Sequence, residues 1–421
     1  MTTGWENKPL GEVCNIVGGG TPSKANSSYY GGDIPWATVR DMREELLSTT
    51  ECRISNEAVA HSATNIIPRN NVVIATRVGL GKVCILAQDT AINQDLRGVV
   101  PKNKKYLDVR FLFRWFQSIS KVIESEGTGL TVKGVKLPFV KSLKVPVPPL
   151  SEQKRIVAIL DEAFEGIVTA TANAEKNLAN ARELFESYLN AVFSNKGEEW
   201  VDTTVGQLVD DQILEKPLDG NHGDTHPKKA DFVQSGVPFI MASDLVAGEV
   251  DQMHCNFLTR SQADSLRKGF AVAGDVLLSH KGTIGRVAVL QTSHDYVMLT
   301  PQVTYYRIKD GRVLHNRYLY YFFQSPKFQD EICHIAGAGS TRAYIGITKQ
   351  LELKVSYPDF DVQRQIARRF DALIAETRRL ETIYRKKLAE LTELKQSLLQ
   401  KAFDGKLTAG AETAIKEDAT A

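Results

Sequence analysis

Cysteine is scarce and scattered: five in 421 residues, at Cys14, Cys52, Cys84, Cys255 and Cys333, with no Cys-x-x-Cys pair. That excludes a disulfide scaffold and a thiolate metal site, and it fits reduced thiols in a cytoplasm. No apolar stretch approaches the roughly 20 residues that a membrane span requires. The opening Met-Thr-Thr-Gly-Trp-Glu lacks the basic-then-apolar pattern of a secretion signal. A cytoplasmic chain without a membrane is expected. Catalytic signatures are missing too. There is no Gly-x-x-x-x-Gly-Lys-Ser/Thr phosphate loop, and no Asn/Asp-Pro-Pro-Tyr/Phe tetrapeptide of the kind that holds a flipped base for amino-methylation. Gly18-Gly19-Gly20 runs into Thr-Pro-Ser-Lys, a turn rather than the helix start of a dinucleotide or methyl-donor loop. Pro358-Asp359 with Glu393-Leu394-Lys395 has the outline of a nuclease set, but the latter three lie mid-helix in heptad register. Asp275, Ser279 and His280 lack a nucleophile elbow. The eight histidines show no ligand spacing beyond His222 and His226, in a Gly/Asp/Pro-rich loop. No metal, no cofactor and no enzyme activity are expected of this chain by itself.

What is present is a repetition, about 205 residues apart, too long for a solenoid unit. Leu107-Asp-Val-Arg110-Phe-Leu-Phe-Arg-Trp-Phe-Gln117-Ser118 returns as Leu314-His-Asn-Arg317-Tyr-Leu-Tyr-Tyr-Phe-Phe-Gln324-Ser325. Ile34-Pro35-Trp36 with Asp41 is answered by Val237-Pro238-Phe239 with Asp244, and Gly81-Lys82-Val83 by Gly285-Arg286-Val287. Glu152-Gln153-Lys154-Arg155-Ile156 is answered by Val362-Gln363-Arg364-Gln365-Ile366. The length suits two to three domains, and 43% hydrophobic with 24% charged residues is ordinary for a globular protein. The net charge of +2 hides a partition. Residues 1–150 carry 19 Lys and Arg against 13 Asp and Glu, whereas 197–360 carry 16 against 20. Two similar heads imply two similar targets.

Each copy begins as a mixed region. Asn71–Ala75, Asp275–Leu278, Leu143–Val147 and Leu351–Val355 read as strands, and amphipathic helices are predicted near 107–124 and 314–334. A long helix follows in each. Pro148-Pro149-Leu150-Ser151 gives a stop and then an N-cap at Ser151, after which apolar residues recur every three or four positions from Ile156 to Val192. The second helix opens at Pro358-Asp359-Phe360-Asp361, with its apolar stripe from Ile366 to Phe403. Some 43 residues at 1.5 Å each make a rod of roughly 65 Å, and an amphipathic rod needs a partner. Residues 151–194 are acidic in excess and 361–403 basic, which favours pairing of the two, antiparallel because a domain lies between them. Pairing of each rod with another protein is compatible with this. The stretch after about 405 reads as a frayed tail.

Three loop pairs hold groups suited to base edges and phosphates. The first joins Thr21, Ser23, Lys24, Tyr29 and Tyr30 to Asn221, His222, His226 and Lys228. The second joins Arg77 and Lys82 to Ser279, His280, Lys281, Thr283 and Arg286, and the third joins Thr128, Thr131 and Lys133 to Ser340, Thr341, Arg342 and Tyr344. Arg40 completes the set. Taken singly each loop is as readily an ordinary connection. Paired recurrence with diverged sequence is what two heads reading different targets would show.

The run Val145-Pro-Val-Pro-Pro149-Leu-Ser-Glu-Gln153-Lys-Arg-Ile156-Val strongly resembles the specificity (S) subunit of type I restriction-modification systems. So does Gly18-Gly-Gly-Thr21-Pro-Ser23 leading to Tyr30-Gly-Gly-Asp33-Ile-Pro-Trp36. The likeness covers essentially the whole chain, although the second copy has Tyr357-Pro-Asp-Phe-Asp-Val-Gln363 where the first has Pro-Pro-Leu-Ser-Glu-Gln. The resemblance implies an α+β fold: two similar mixed α/β target-recognition domains joined by two long antiparallel coiled-coil helices in a pseudo-two-fold repeat. It implies domains at 1–150 and 196–360, spacer helices at 151–195 and 361–405, and a tail at 406–421. Each head would read half of a split double-stranded DNA target. The helices would set the spacer and dock two modification subunits, with Gln153, Ile156, Leu160, Gln363, Ile366 and Phe370 as docking candidates. S-adenosylmethionine would bind the modification subunits, and ATP and Mg the restriction subunits. A self-contained DNA methyltransferase or nuclease would need the missing motifs. A duplicated scaffold binding proteins or glycans stays open because the second head is acidic.

Overall fold

The computed structural model describes residues 5–128, 134–223, 226–337 and 344–408. Two compact units form, one from Met1–Glu175 with Lys386–Ala421 and the other from Lys176–Arg385. The division runs through both long helices, so each unit holds a half of each.

In the first unit, β2 (Cys14–Gly18), β10 (Leu96–Pro101), β7 (Val72–Ala75), β8 (Val83–Leu86) and β4 (Leu46–Leu47) form one sheet in that order. A second sheet runs β5 (Cys52–Ile54), β3 (Tyr30–Ala37), β9 (Thr90–Ile92), β6 (Asn65–Ile67), with β3 and β9 parallel. β1 (Glu6–Pro9) pairs with β11 (Lys144–Val147). Helix α1 (Val109–Ser118) starts at Asp108, whose carboxylate accepts from Arg110 N and Phe111 N. It buries Phe111, Leu112, Trp115 and Phe116 in a core that also takes Val72, Ile74 and Val99. Into this core the long helix α2 (Leu150–Ser194) sends Ile156, Leu160, Phe164 and Ile167 from its first half.

The second unit repeats the topology except at one sheet edge, where the first unit's fifth strand, β4, has no counterpart in the sheet. One sheet runs β13 (Leu218–Asp219), β22 (Val303–Tyr306), β19 (Val276–Ser279), β20 (Val287–Val289). The other runs β17 (Asn256–Leu258), β14 (Val237–Ile240), β21 (Val297–Leu299), β18 (Phe270–Ala271), again with its central pair, β14 and β21, parallel. β12 (Val201–Thr204) pairs with β23 (Lys354–Tyr357) as β1 does with β11, and a short hairpin is added, β15 (Leu245–Val246) with β16 (Glu249–Val250). Helix α3 (Asn316–Gln324) holds the place of α1. Helix α4 (Phe360–Phe403) packs against α2 in the antiparallel sense: Thr377 lies beside Ala181, and Phe370 stacks on Phe193 at 5.9 Å. In the first unit the far end of α4 supplies Leu399 and Ala402 to the core.

Several local expectations are corrected. The helices predicted near 107–124 and 314–334 each break in two, at Ile119 and at Ser325, where Pro326 opens a new helix capped by the Ser325 hydroxyl. Leu351-Glu-Leu is a turn, not strand, because Gly206 N and Val205 N take the carbonyls of Leu351 and Leu353, and β23 starts at Lys354. Ser151 lies inside the first turn of α2, whose opening bonds run from Glu152 N and Gln153 N to Pro149 O. The start of the tail is ordered: Leu407 packs on the first core and Thr408, 6% exposed, meets Glu152. Among the described residues no helix is long and apolar enough to cross a membrane.

Candidate nucleic-acid interface

In the first unit the glycine loop after β2 lies against the chain end of β9. A Cβ on Gly19 would collide with the carbonyl oxygens of Ile92 and Asn93, and the matching Gly220 faces Leu299 O in the same way. Only glycine permits that approach. Trp36 Nε1 donates to Gly20 O and to the Thr64 hydroxyl, both at 3.2 Å. Tyr30 donates to Pro22 O at 2.8 Å and meets Trp36 edge-on at 6.3 Å, while Tyr29 packs beside them. These two tyrosines, half-buried DNA-contact candidates, prop up the loop. On that support Thr21, Ser23 and Lys24 are exposed.

The three loops of this unit are laced together through a segment that sequence reasoning did not single out, Asn93-Gln94-Asp95. Thr21 bonds Gln94. Asp95 O accepts from Thr76 N at 2.8 Å, and its carboxylate lies 3.7 Å from Arg77. Thr76 O accepts in turn from Val135 N at 2.9 Å, beside the Thr128–Gly134 bridge. The Val39 side chain abuts Gly79, which brings the Arg40 turn to the Arg77–Lys82 hairpin. Thr21, Ser23, Lys24, Arg40, Arg77, Lys82 and Thr128 thus sit exposed on linked loops. The missed segment carried a signal: three polar residues directly after a fully buried strand.

The second unit keeps the lacing and changes the side chains. His280 N donates to Gln302 O at 2.9 Å and Ile345 N to His280 O at 3.0 Å, the same two bonds that Thr76 makes. His280 and Ser279 are wholly buried, which corrects their assignment as DNA contacts. Ser279 Oγ accepts from Arg286 N, and His280 Nδ1 is 2.9 Å from Ile345 O with Nε2 left without a hydrogen-bond partner. Burial pushes the His280 pKa down, against the charge of Asp219 3.9 Å from Nε2, and so favours the neutral ring. Asp275 is held by Arg307, so no Ser-His-Asp relay exists. Asn221 is also internal: its amide clips Lys268 O and Arg267 N. Beneath it Asp219 pairs with Lys268 and, at 2.6 Å, with His222. Burial raises the Asp219 pKa, but those two hydrogen bonds outweigh it and the net shift is downward. His226 is half-buried against Phe239 and burial pushes its pKa down as well.

Lys228, Lys281, Thr283, Arg286 and Tyr344 remain exposed, Lys281 over the Tyr344 ring at 5.9 Å. Arg286 is partly spent on Ala242 O and Ser243 O. A cavity of about 280 Å³ opens among His222, His226, Lys281, Thr300 and Gln302. Thr131, Lys133, Ser340, Thr341 and Arg342 lie outside the described residues. Among the described residues no group of three or more His, Cys, Asp or Glu could hold a metal ion. The docking candidates are corrected too. Gln153, Ile156, Leu160, Gln363 and Phe370 are buried within their own units, and Ile366 is half-buried. All six pack the head against its helix.

The family model for the type I restriction modification DNA specificity domain matches residues 2–179 and 211–392. The Escherichia coli type I restriction enzyme EcoR124I/EcoR124II specificity subunit is 33% identical over 196 residues, spanning 45% of this chain and 48% of that protein. The Methanocaldococcus jannaschii MjaVIII specificity subunit is 21% identical over 413 residues, spanning 96% of this chain and 93% of that protein. The chain thus matches about half the length of the first relative and nearly all of the second. Two solved structures share the fold. The HsdS subunit from Thermoanaerobacter tengcongensis superposes with a TM-score of 0.62 at 18% identity, covering 96% of this chain and 98% of that one. A chain from a structure of the assembly and conformational transition of a type I R-M system reaches 0.75 at 19% identity, covering 96% and 99%.

Proposed function

The chain belongs to the type I restriction-modification DNA specificity family, and from that premise we propose that it is the non-catalytic subunit that reads a bipartite DNA target. Each unit presents its three loops to one half-site. Exposed Lys, Arg and hydroxyl groups meet phosphates and base edges in the major groove. The observation that carries this reading is the shared frame. Thr76 and His280 make the same backbone bonds in the two units, while the groups around them differ. A constant frame with changed side chains is what two readers of two sequences require.

The two long helices set the spacing between half-sites and carry two modification subunits, which bind S-adenosylmethionine and methylate adenine. Restriction subunits that use ATP and Mg join that core. Replacing residues 197–360 by the corresponding segment of another family member tests the reading in the assembled methyltransferase. Mapping of methylated sites should show one half-site changed and the other kept. A change in both, or in neither, would sink the claim of independent reading.

A further inference from the structure

Each head is joined to its own long helix by a matched polar clamp that packing alone does not require. Gln153 is wholly buried in the second turn of α2. Its Oε1 accepts from Asp108 N, and its Nε2 donates to Tyr106 O and Pro148 O, all at 2.8 Å. Gln363, equally buried in α4, takes His315 N at 3.0 Å and gives to Val313 O at 2.9 Å and Pro358 O at 2.8 Å. In both units the residue grasped by Oε1 is the N-cap of the head's central helix, Asp108 for α1 and His315 for α3. Two turns on, Asp161 pairs with Arg110 at 3.0 Å and Arg114 at 2.6 Å of α1. Asp371 holds Arg317 and, at 2.6 Å, the Tyr321 hydroxyl of α3.

Both amide N–H donors of each glutamine are used and its oxygen accepts from the helix cap, so another rotamer would break this set of bonds. A hydrophobic residue of similar volume would fill the space without fixing direction. Hydrogen bonds from one rod to the cap and the body of one head helix fix both the angle and the roll of the head. We propose that Gln153 and Gln363, supported by Asp161 and Asp371, are positioning residues that set how strictly spacer length is read. The proposal rests on the bipartite-target reading above. One base pair added between half-sites shifts the second by about 3.4 Å and turns it by roughly 35°. A stiff joint turns that mismatch into strain, and a loosened joint absorbs it.

The test uses the full chain assembled with its modification subunits, and duplexes that keep both half-sites while the spacer is of natural length, one pair shorter or one pair longer. Gln153→Met with Gln363→Met removes three bonds in each unit and should raise methylation of the off-length duplexes relative to the natural one by at least about tenfold, the factor for loss of a single net hydrogen-bonded contact. Half-site preference should stay unchanged. Asp161→Asn with Asp371→Asn, which keeps shape, should move the ratio in the same direction and covers the case in which the glutamine pair does not fold. Methylation that falls equally on all three duplexes in both variants, or is abolished on all of them, would mean the clamp is only structural and overturns the proposal. Failure of the underlying reading looks different: the unaltered complex would itself ignore half-sites and spacer.

Discussion

Arg114 shows how much one side chain can organise. It is 4% exposed, and it bonds Asp161, Glu45 and Gln117 while its guanidinium lies 4.8 Å over the Phe164 ring. Burial pushes the Glu45 pKa up, but the Arg114 hydrogen bond and charge outweigh it, and the net shift is below the usual 4.5. A carboxylate shifted downward stabilises the fold above its unfolded pKa and loses that contribution as pH falls through the folded one. Replacing Arg114 by Met removes the buried cation and leaves Asp161 to Arg110 and the half-exposed Glu45 to Gln117, at a cost of about 1–2 kcal/mol near neutral pH, because solvent screens both carboxylates. Urea unfolding of both proteins should show this gap shrinking below about pH 4.5 as Glu45 protonates; a gap that widens on acidification refutes the assignment. The same scale explains which contact residues could be read from the chain. Lys24, Arg77 and Lys82 are long cations on glycine-bearing loops, and such groups reach solvent almost wherever the loop turns. Ser279 and His280 look equally exposed in sequence. Their burial is decided by Ile345 and Gln302, 65 and 22 positions away.

The long helices are the elements most legible in the chain, because a three-and-four periodicity held over six heptads has no other regular solution. Which apolar positions carry the packing is a tertiary matter. Phe370 is wholly buried among Phe185, Tyr188, Phe193 and Tyr321, whereas Leu184 and Leu394 of the same stripes are 58% and 46% exposed. Phe370→Ala should cost about 4 kcal/mol, while Leu394→Ala should cost under about 1 kcal/mol. Gly166 makes the reverse case: a Cβ there meets nothing within 4 Å, so Gly166→Ala should stabilise α2 by about 0.5–1 kcal/mol. Denaturant midpoints measured on the three variants would contradict this account if Phe370 and Leu394 proved equivalent or Gly166→Ala destabilised. The short helices were less legible because caps and breaks at Ile119 and Ser325 are single-residue events inside a continuous apolar pattern.

For the whole molecule, duplication is the organising fact, and its two copies are kept alike where they meet the helices and unlike where they face outward. If the helices meter the distance between half-sites, lengthening both by whole heptads should lengthen the spacer and nothing else. Seven residues inserted between Ala170 and Asn180, with seven more near Arg385, preserve the stripe and add about 10 Å. Methylation mapping should then report a spacer longer by about three base pairs with both half-sites unchanged. An unchanged spacer, or altered half-sites, would remove the ruler.

The amino-acid order alone determined the duplication, the two rods, the glycine-marked turns and the lack of catalytic motifs, because each of these is written in local pattern or near-identical spacing. The tertiary structure alone decided that Tyr29, Tyr30, Asn221, Ser279 and His280 support the surface rather than form it. It also decided that Asn93–Asp95 links three loops, and that Gln153 and Gln363 clamp heads to helices. Exposure and partnership depend on which distant segments close over a residue, and that is set by the summed burial of the whole core. No single stretch of the chain carries that sum.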